Sequence, residues 1–161
     1  MTSQTSLEER VAALFTDSGQ TLSTAESCTG GLIAHRLTNV SGASAFFMGG
    51  VVAYDNAVKA SVLGVSEETL SAHGAVSAET ASAMAEGVRR ALRTDYGIAV
   101  TGIAGPSGGS PEKPVGLVFL AVSSREGTRV VRRQFSGTRL EIKNQTADAA
   151  LGLLLDRGET P

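Results

Sequence analysis

The spacing of apolar residues along this chain switches repeatedly between a helical period and short β-rich runs, and that alternation limits the folds open to it. Leu7, Val11, Leu14 and Phe15 recur at helical spacing over residues 7–18. Thr21 to Ala25 reads as a short strand, and Gly30 to Thr38, carrying Leu32, Ile33 and Leu37, reads as a helix. Residues 45–54 are β-rich, with Phe46, Phe47, Val51, Val52 and Tyr54. Short helical runs follow at 57–63 and from Ser66 to about His73; Met84, Val88, Ala91 and Leu92 then stripe a longer helix ending near Arg93. Tyr96 to Thr101 reads as a buried strand. Residues 115–124 and 128–135 read as strands joined at Arg125-Glu126-Gly127, a hairpin. The last helix runs from Thr138 to Leu155, with Leu140, Ile142 and Leu151 among its apolar positions. Strands alternating with helices favour a single layered α/β domain with helices on both faces of a sheet. The hairpin adds an antiparallel pair, so the central sheet is expected to be mixed.

Local chemistry marks the boundaries. Ser6 with Glu9 fits a capping box, and Gly19 fits a C-terminal stop. Asp55-Asn56, Ser66 and Ser77 are helix-start signals. Gly49-Gly50 interrupts a β-rich run, which implies a bulge or a close backbone approach. Residues 1–5 and 157–161 read as loose tails.

A length of 161 residues is enough for one domain with a core, and no internal repeat or linker divides it. A formal net charge of -2 gives no electrostatic case for nucleic acid. No apolar run is long enough to cross a bilayer, and Glu8 and Glu9 stand where a signal peptide would be basic. One cysteine makes no internal disulfide, so a cytoplasmic location is the default expectation. Two histidines and one cysteine, scattered, argue against a structural zinc site; no metal and no cofactor is expected.

Chemistry can be placed at several points. Ser27-Cys28-Thr29 stands between a strand and a helix, just before Gly30 and Gly31. Such turns present unpaired N–H groups that can hold an oxyanion; the plainer reading is that Ser27 or Thr29 caps the helix and Cys28 fills core. Lys59 is a surface charge if it faces outward. If it faces inward, burial lowers its pKa, and the neutral amine can take a proton from a serine. The stretch from Val100 to Gly109 places a glycine-rich loop after a strand, an anion cradle or a plain surface loop. It is neither a Walker A loop nor a GxGxxG fingerprint. Arg139 opens the last helix, as a partner for phosphate or carboxylate or as an exposed first-turn arginine.

Four stretches together resemble the CinA C-terminal domain family, a family that includes nicotinamide-nucleotide amidases: Thr24-Ala-Glu-Ser-Cys-Thr-Gly-Gly31, Gly50-Val-Val-Ala-Tyr-Asp-Asn-Ala-Val-Lys59, His73-Gly-Ala-Val-Ser77 and the run from Val100 to Gly116. The resemblance extends from about Leu7 to the last helix. It implies a three-layer α/β/α sandwich and assembly as a homodimer or larger oligomer. It also implies metal-independent hydrolysis of the carboxamide of nicotinamide mononucleotide to nicotinate mononucleotide and ammonia. The resemblance also implies that in longer relatives the same domain follows a molybdopterin-binding-like domain, whose pattern is not expected within these 161 residues. By the resemblance Ser27 matches the nucleophile, Lys59 its activating base, and Tyr54 and Thr101 polar residues of the same site. Gly102, Gly105, Ser107, Gly108 and Gly109 match a substrate-binding loop, with Arg139 at a phosphate-binding position. In the mechanism these residues would serve, N–H groups of the Thr29, Gly30 and Gly31 turn are expected to hold the oxyanion. Asp55 departs from the serine often found there, and either caps a helix or alters the field at Lys59. The rival readings are a nucleotide-binding or regulatory module without chemistry, and an amidase for another small carboxamide. The Ser27/Lys59 pair separates the first rival from catalysis.

Overall fold

The computed structural model describes residues 4–156; of the expected tails at 1–5 and 157–161, residues 1–3 and 157–161 lie outside the described residues, and residues 4 and 5 precede the first helix without regular structure. Helix α1 (Leu7–Ser18) starts at the capping box: Ser6 Oγ accepts from the Glu9 N–H, and the Glu9 carboxylate accepts from the Ser6 N–H at 2.8 Å. It stops at Gly19, which takes a left-handed φ of 68°. Strand β1 (Leu22–Glu26), buried throughout, leads to helix α2 (Leu32–Thr38). This helix begins two residues later than the apolar spacing suggests, because Gly30 and Gly31 are left-handed, with φ of 61° and 104°.

Strand β2 (Phe47–Val52) is shorter than the β-rich run 45–54. Ala43–Ala45 form a 3-10 turn, which buries Phe46 against Phe15 with ring centroids 5.9 Å apart. The register of β1 against β2 skips Met48, a bulge beside the paired glycines. A Cβ at Gly50 would collide with Thr24 Oγ1, so both readings of that glycine pair hold. Helices α3 (Asn56–Ser61), α4 (Glu67–His73) and α5 (Ala78–Leu92) follow, with N-caps Asp55, Ser66 and Ser77. Strands β3 (Tyr96–Gly102), β4 (Leu117–Ser124) and β5 (Gly127–Gln134) complete the sheet, and helix α6 (Arg139–Leu155), capped by Thr138, ends the described fold.

The five strands lie in the order β2-β1-β3-β4-β5. The β2, β1 and β3 strands are parallel, whereas β4 and β5 pair antiparallel, so the sheet is mixed. One face carries Leu22, Ile98, Val100, Val118, Leu120 and Val122 beneath α1, α2 and α6. The other carries the small side chains Ala25, Ala99 and Ala121, against which Ala81, Met84, Ala85 and Val88 of α5 pack. The architecture is an α/β/α sandwich. Leu140 departs from its expected place: it is 67% exposed, since the first turn of α6 stands beyond the core at the rim of the cavity described next.

Candidate active site

Sheet order places this cavity. From β1 the chain turns to β2 on one side, then crosses to β3 on the other. Helix α2 follows β1 and covers one face, while α5 precedes β3 and covers the other. A crevice therefore opens beyond the carboxyl ends of β1 and β3, the position where open α/β sheets bind ligands. Ser27 follows the last residue of β1, and Thr101 lies near the end of β3. Both line a cavity of about 200 Å³ with Cys28, Tyr54, Lys59, Ala75, Val76, Gly102, Ala104 and Arg139.

Ser27 is fixed by a tight turn. Its N–H donates to Val100 O and its carbonyl accepts from Gly30 N–H, both at 3.1 Å. Beneath it lies Glu26, 1% exposed. Its Oε1 accepts from the Thr29 hydroxyl at 2.6 Å and the Ile33 N–H at 2.8 Å; its Oε2 accepts from the Ala34 N–H at 3.0 Å. That carboxylate supplies the acceptors that Gly31 cannot, since the N-cap of α2 has no side chain. Sequence reasoning missed Glu26; the available signal was an acid at a strand end before a helix with a glycine N-cap.

Lys59 faces inward. It is 1% exposed although it sits on the six-residue helix α3. Its Nζ lies 3.1 Å from Ser27 Oγ, 2.8 Å from Ala53 O and 3.2 Å from Tyr54 O. Burial pushes its pKa below the ordinary 10.5, while the Asp55 carboxylate and Cys28 pull it the other way. A neutral amine has two N–H bonds and one lone pair. Here Nζ donates to two carbonyls and to Ser27 Oγ; once neutral, it can keep the two carbonyl bonds and leave its lone pair for the Ser27 proton. Asp55 caps α3, accepting from the Ala57 N–H at 2.8 Å, so of the two readings the capping one describes its hydrogen bonding.

The rim is built differently. Tyr54 is 62% exposed, and its hydroxyl accepts from Arg139 Nη2 at 2.9 Å. Arg139 Nη1 donates to Gly105 O at 2.7 Å, so one guanidinium ties the glycine-rich loop to the tyrosine. Thr101 lines the cavity, with its hydroxyl donating to Ala75 O at 2.7 Å. Thr29, Gly30 and Gly31 are not among the residues that line the cavity, and the Gly30 N–H closes the turn onto Ser27 O. Gly102 lines the cavity, whereas Ser107, Gly108 and Gly109 lie outside it on the exposed stretch of the loop. Cys28 is buried, and burial pushes its thiol up to about 12, with the Glu26 charge adding to the shift. It stays protonated at neutral pH, which disfavours it as a nucleophile. Ala75 and Val76 form a wall that sequence reasoning quoted only within a longer motif.

The profile of the CinA C-terminal domain matches residues 4–157. The chain belongs to the CinA C-terminal domain family. It is 53% identical over 146 residues to a CinA-like protein of Kosmotoga olearia, covering 91% of this chain and 35% of that one. A CinA-like protein of Geotalea daltonii is 54% identical over 144 residues, covering 89% of this chain and 35% of the relative. The chain thus spans about a third of the length of the curated relatives it matches. Among solved structures it superposes on the competence/damage inducible protein CihA of Agrobacterium tumefaciens with a TM-score of 0.90 and 47% identity, covering 95% of this chain and 94% of that one. A competence damage-inducible protein A of Klebsiella pneumoniae gives a TM-score of 0.91 at 36% identity, with 94% of each chain covered. The CinA domain described here has no helix long and apolar enough to cross a membrane among its described residues.

Proposed function

We propose that this CinA domain is an amidase that hydrolyses the carboxamide of nicotinamide mononucleotide to nicotinate mononucleotide and ammonia. The observation that carries the reading is the buried amine of Lys59 at 3.1 Å from Ser27 Oγ. A binding module has no use for such a pair, whereas a serine nucleophile needs a base beside it. Ser27 Oγ attacks the carboxamide carbon and its proton passes to Lys59. Lys59 returns its proton to the departing nitrogen, ammonia leaves, and an acyl ester remains on Ser27. Water then attacks that ester; Lys59 takes its proton and restores it to Ser27 as the carboxylate product departs. Thr101, Tyr54 and the Gly102–Gly105 part of the loop position the substrate.

A cavity of about 200 Å³ suits a ring with its carboxamide and leaves the ribose and phosphate toward the rim, where Arg139 stands. Remote binding of the phosphate aligns the amide, so free nicotinamide is a poor substrate. The reading extends to assembly as a homo-oligomer: Met48 and Val52 are 47% and 51% exposed on the edge strand β2 and offer a second copy an apolar strip, which light scattering tests. For the reaction, the test is ammonia release from nicotinamide mononucleotide without added metal, with Ser27→Ala and Lys59→Met alongside. Turnover that both substitutions abolish supports the amidase. Binding of the nucleotide without ammonia would overturn it in favour of a binding module, and turnover of another carboxamide alone would reassign the substrate.

A further inference from the structure

A cation beside the candidate active site stands without a partner among the described residues. Lys143 lies on α6 four residues after Arg139, so the two side chains leave the same face of the helix. Arg139 reaches Gly105 O and Tyr54 Oη at the mouth of the cavity. Lys143 reaches the turn after Ser27 instead: its Nζ lies 3.8 Å from the point that a Cβ on Gly30 would occupy. Its charge is felt at Cys28, a residue of the cavity wall. Burial dominates that thiol, but Lys143 and Lys59 both pull it toward the thiolate. Lys143 does not line the enclosed cavity; it stands just outside, beside an exposed glycine.

No carboxylate answers this ammonium. Lys143 makes no hydrogen bond and no ion pair among the described residues. On its own helix, Glu141 folds back over Gly137, and Asp148 is paired with Arg36 at 2.7 Å. Under the Gly30 turn, the Glu26 carboxylate accepts from Thr29, Ile33 and Ala34. Helix chemistry gives no reason for the arrangement either. Like charges at i and i+4 destabilise a helix, and Arg139 stands in the first turn, where the helix dipole disfavours a cation. Lys143 is also half-buried, which removes part of the water that would otherwise solvate its charge. An anion held between the two side chains offsets all three costs. The planar fork of Arg139 suits a pair of phosphate oxygens, and the ammonium of Lys143 meets a remaining one as a point charge.

Resting on the amidase reading, we infer that Lys143 is a specificity-determining residue: with Arg139 it clamps the substrate's phosphate just outside the cavity, so that the enzyme selects a nucleotide over its nucleoside. The cavity of about 200 Å³ takes the ring and its carboxamide, and the clamp holds what extends beyond it.

Kinetics on nicotinamide mononucleotide and nicotinamide riboside, which differ by that phosphate alone, test it with Lys143→Gln and Lys143→Arg. Lys143→Gln is expected to lower kcat/KM for the nucleotide roughly tenfold or more, the scale of one charge-assisted contact. The loss should lie mainly in KM, with the riboside unaffected. Lys143→Arg keeps the charge and should recover most of the loss. Lys143 is bonded to nothing within the described fold, so both variants are expected to keep the wild-type melting curve. Equal loss on the two substrates would make Lys143 a support of the Ser27 turn, and loss on neither would leave the phosphate to Arg139; either result overturns the inference. Calorimetry with the same two compounds separates it from the amidase reading. If the wild type releases no ammonia, tighter binding of the nucleotide than of the riboside, with the gap narrowed by Lys143→Gln, upholds the phosphate clamp without the reaction. Nucleotide binding that Lys143→Gln leaves unchanged, or no binding at all, overturns it.

Discussion

Lys59 and Arg139 are both cations at one cavity, yet the protein holds them in opposite ways. Lys59 is enclosed, its amine divided between two backbone carbonyls and Ser27 Oγ, and its pKa is lowered by burial. Arg139 stands at the mouth, bridging an exposed tyrosine to a loop carbonyl. Water can replace either of the bonds that Arg139 makes. Lys59 is 1% exposed, so its partners must be right in the folded chain. The difference teaches how the cavity is divided: the floor is fixed by the fold itself, and on the proposed reading the rim is free to exchange its internal bonds for a ligand's. A phosphate displacing Tyr54 Oη and Gly105 O from Arg139 gains charge-assisted hydrogen bonds where neutral ones stood.

The largest expected effect comes from breaking the floor. Ser27→Ala or Lys59→Met should each lower kcat by about four orders of magnitude or more, and the double variant should be little worse than either alone, because the two act as a unit. Lys59→Met keeps the length of the side chain, so circular dichroism should show an intact fold. A double variant far slower than both singles would mean that the two residues act independently, and the dyad reading would fail.

Arg139→Gln should be milder and of a different kind. Losing a charge-assisted contact to phosphate costs about 1.5–3 kcal/mol, or roughly 10- to 150-fold in kcat/KM for the nucleotide. The slow turnover of free nicotinamide should not change, since that molecule carries no phosphate. Kinetics on both substrates decide it: equal losses on both would place Arg139 in the floor and erase the distinction drawn above.

Titration sharpens the same contrast. With the folded pKa of Lys59 below the ordinary 10.5, the unfolded chain takes up a proton as pH falls past 10.5 and the folded chain does not. Stability therefore declines as pH falls from 10.5 to the folded pKa, and this contribution is constant below it. The rate should rise with pH through that folded pKa, as the amine becomes the base. Lys59→Met should remove this part of the pH dependence, which chemical denaturation at stepped pH reads as the difference between variant and wild type. Identical slopes for the two proteins would mean that Lys59 is as readily protonated folded as unfolded.

Much of the fold was legible because its signals are local. The Ser6/Glu9 capping box and the starts at Asp55, Ser66 and Ser77 depend on residues within a turn of one another. The orientation of Lys59 was not legible from the residues, since α3 has six residues and no stripe of its own to show a buried face. What buries its amine comes from elsewhere in the chain, from Ala53 O, Tyr54 O and Ser27. Glu26 escaped notice for the same reason: its partners Thr29, Ile33 and Ala34 make sense only once Gly31 has started α2 without a side-chain cap. Leu140 misled in the other direction, an apolar residue at helical spacing on a turn that overhangs the core. The resemblance placed Ser27 and Lys59 together, and the tertiary structure supplies their distance.

The smallest effect should come from Cys28, and it tests which residue is the nucleophile of the proposed reaction. Cys28 adjoins Ser27 in the chain and lines the same cavity, and a thiol is ordinarily the better nucleophile of the two. Its environment reverses that order. Burial holds the thiol at about 12, and the nearby Glu26 charge opposes a thiolate further. Ser27 instead has an amine at 3.1 Å to receive its proton. Cys28→Ala should therefore keep kcat within a few-fold of wild type, and its stability cost should be about 1 kcal/mol for one buried sulfur, the order expected for a small cavity. Iodoacetamide should modify the native wild-type protein slowly and without matching loss of activity. Rapid alkylation that inactivates the enzyme, or a Cys28→Ala loss as deep as that of Ser27→Ala, would move the nucleophile one residue along the chain and require a different base.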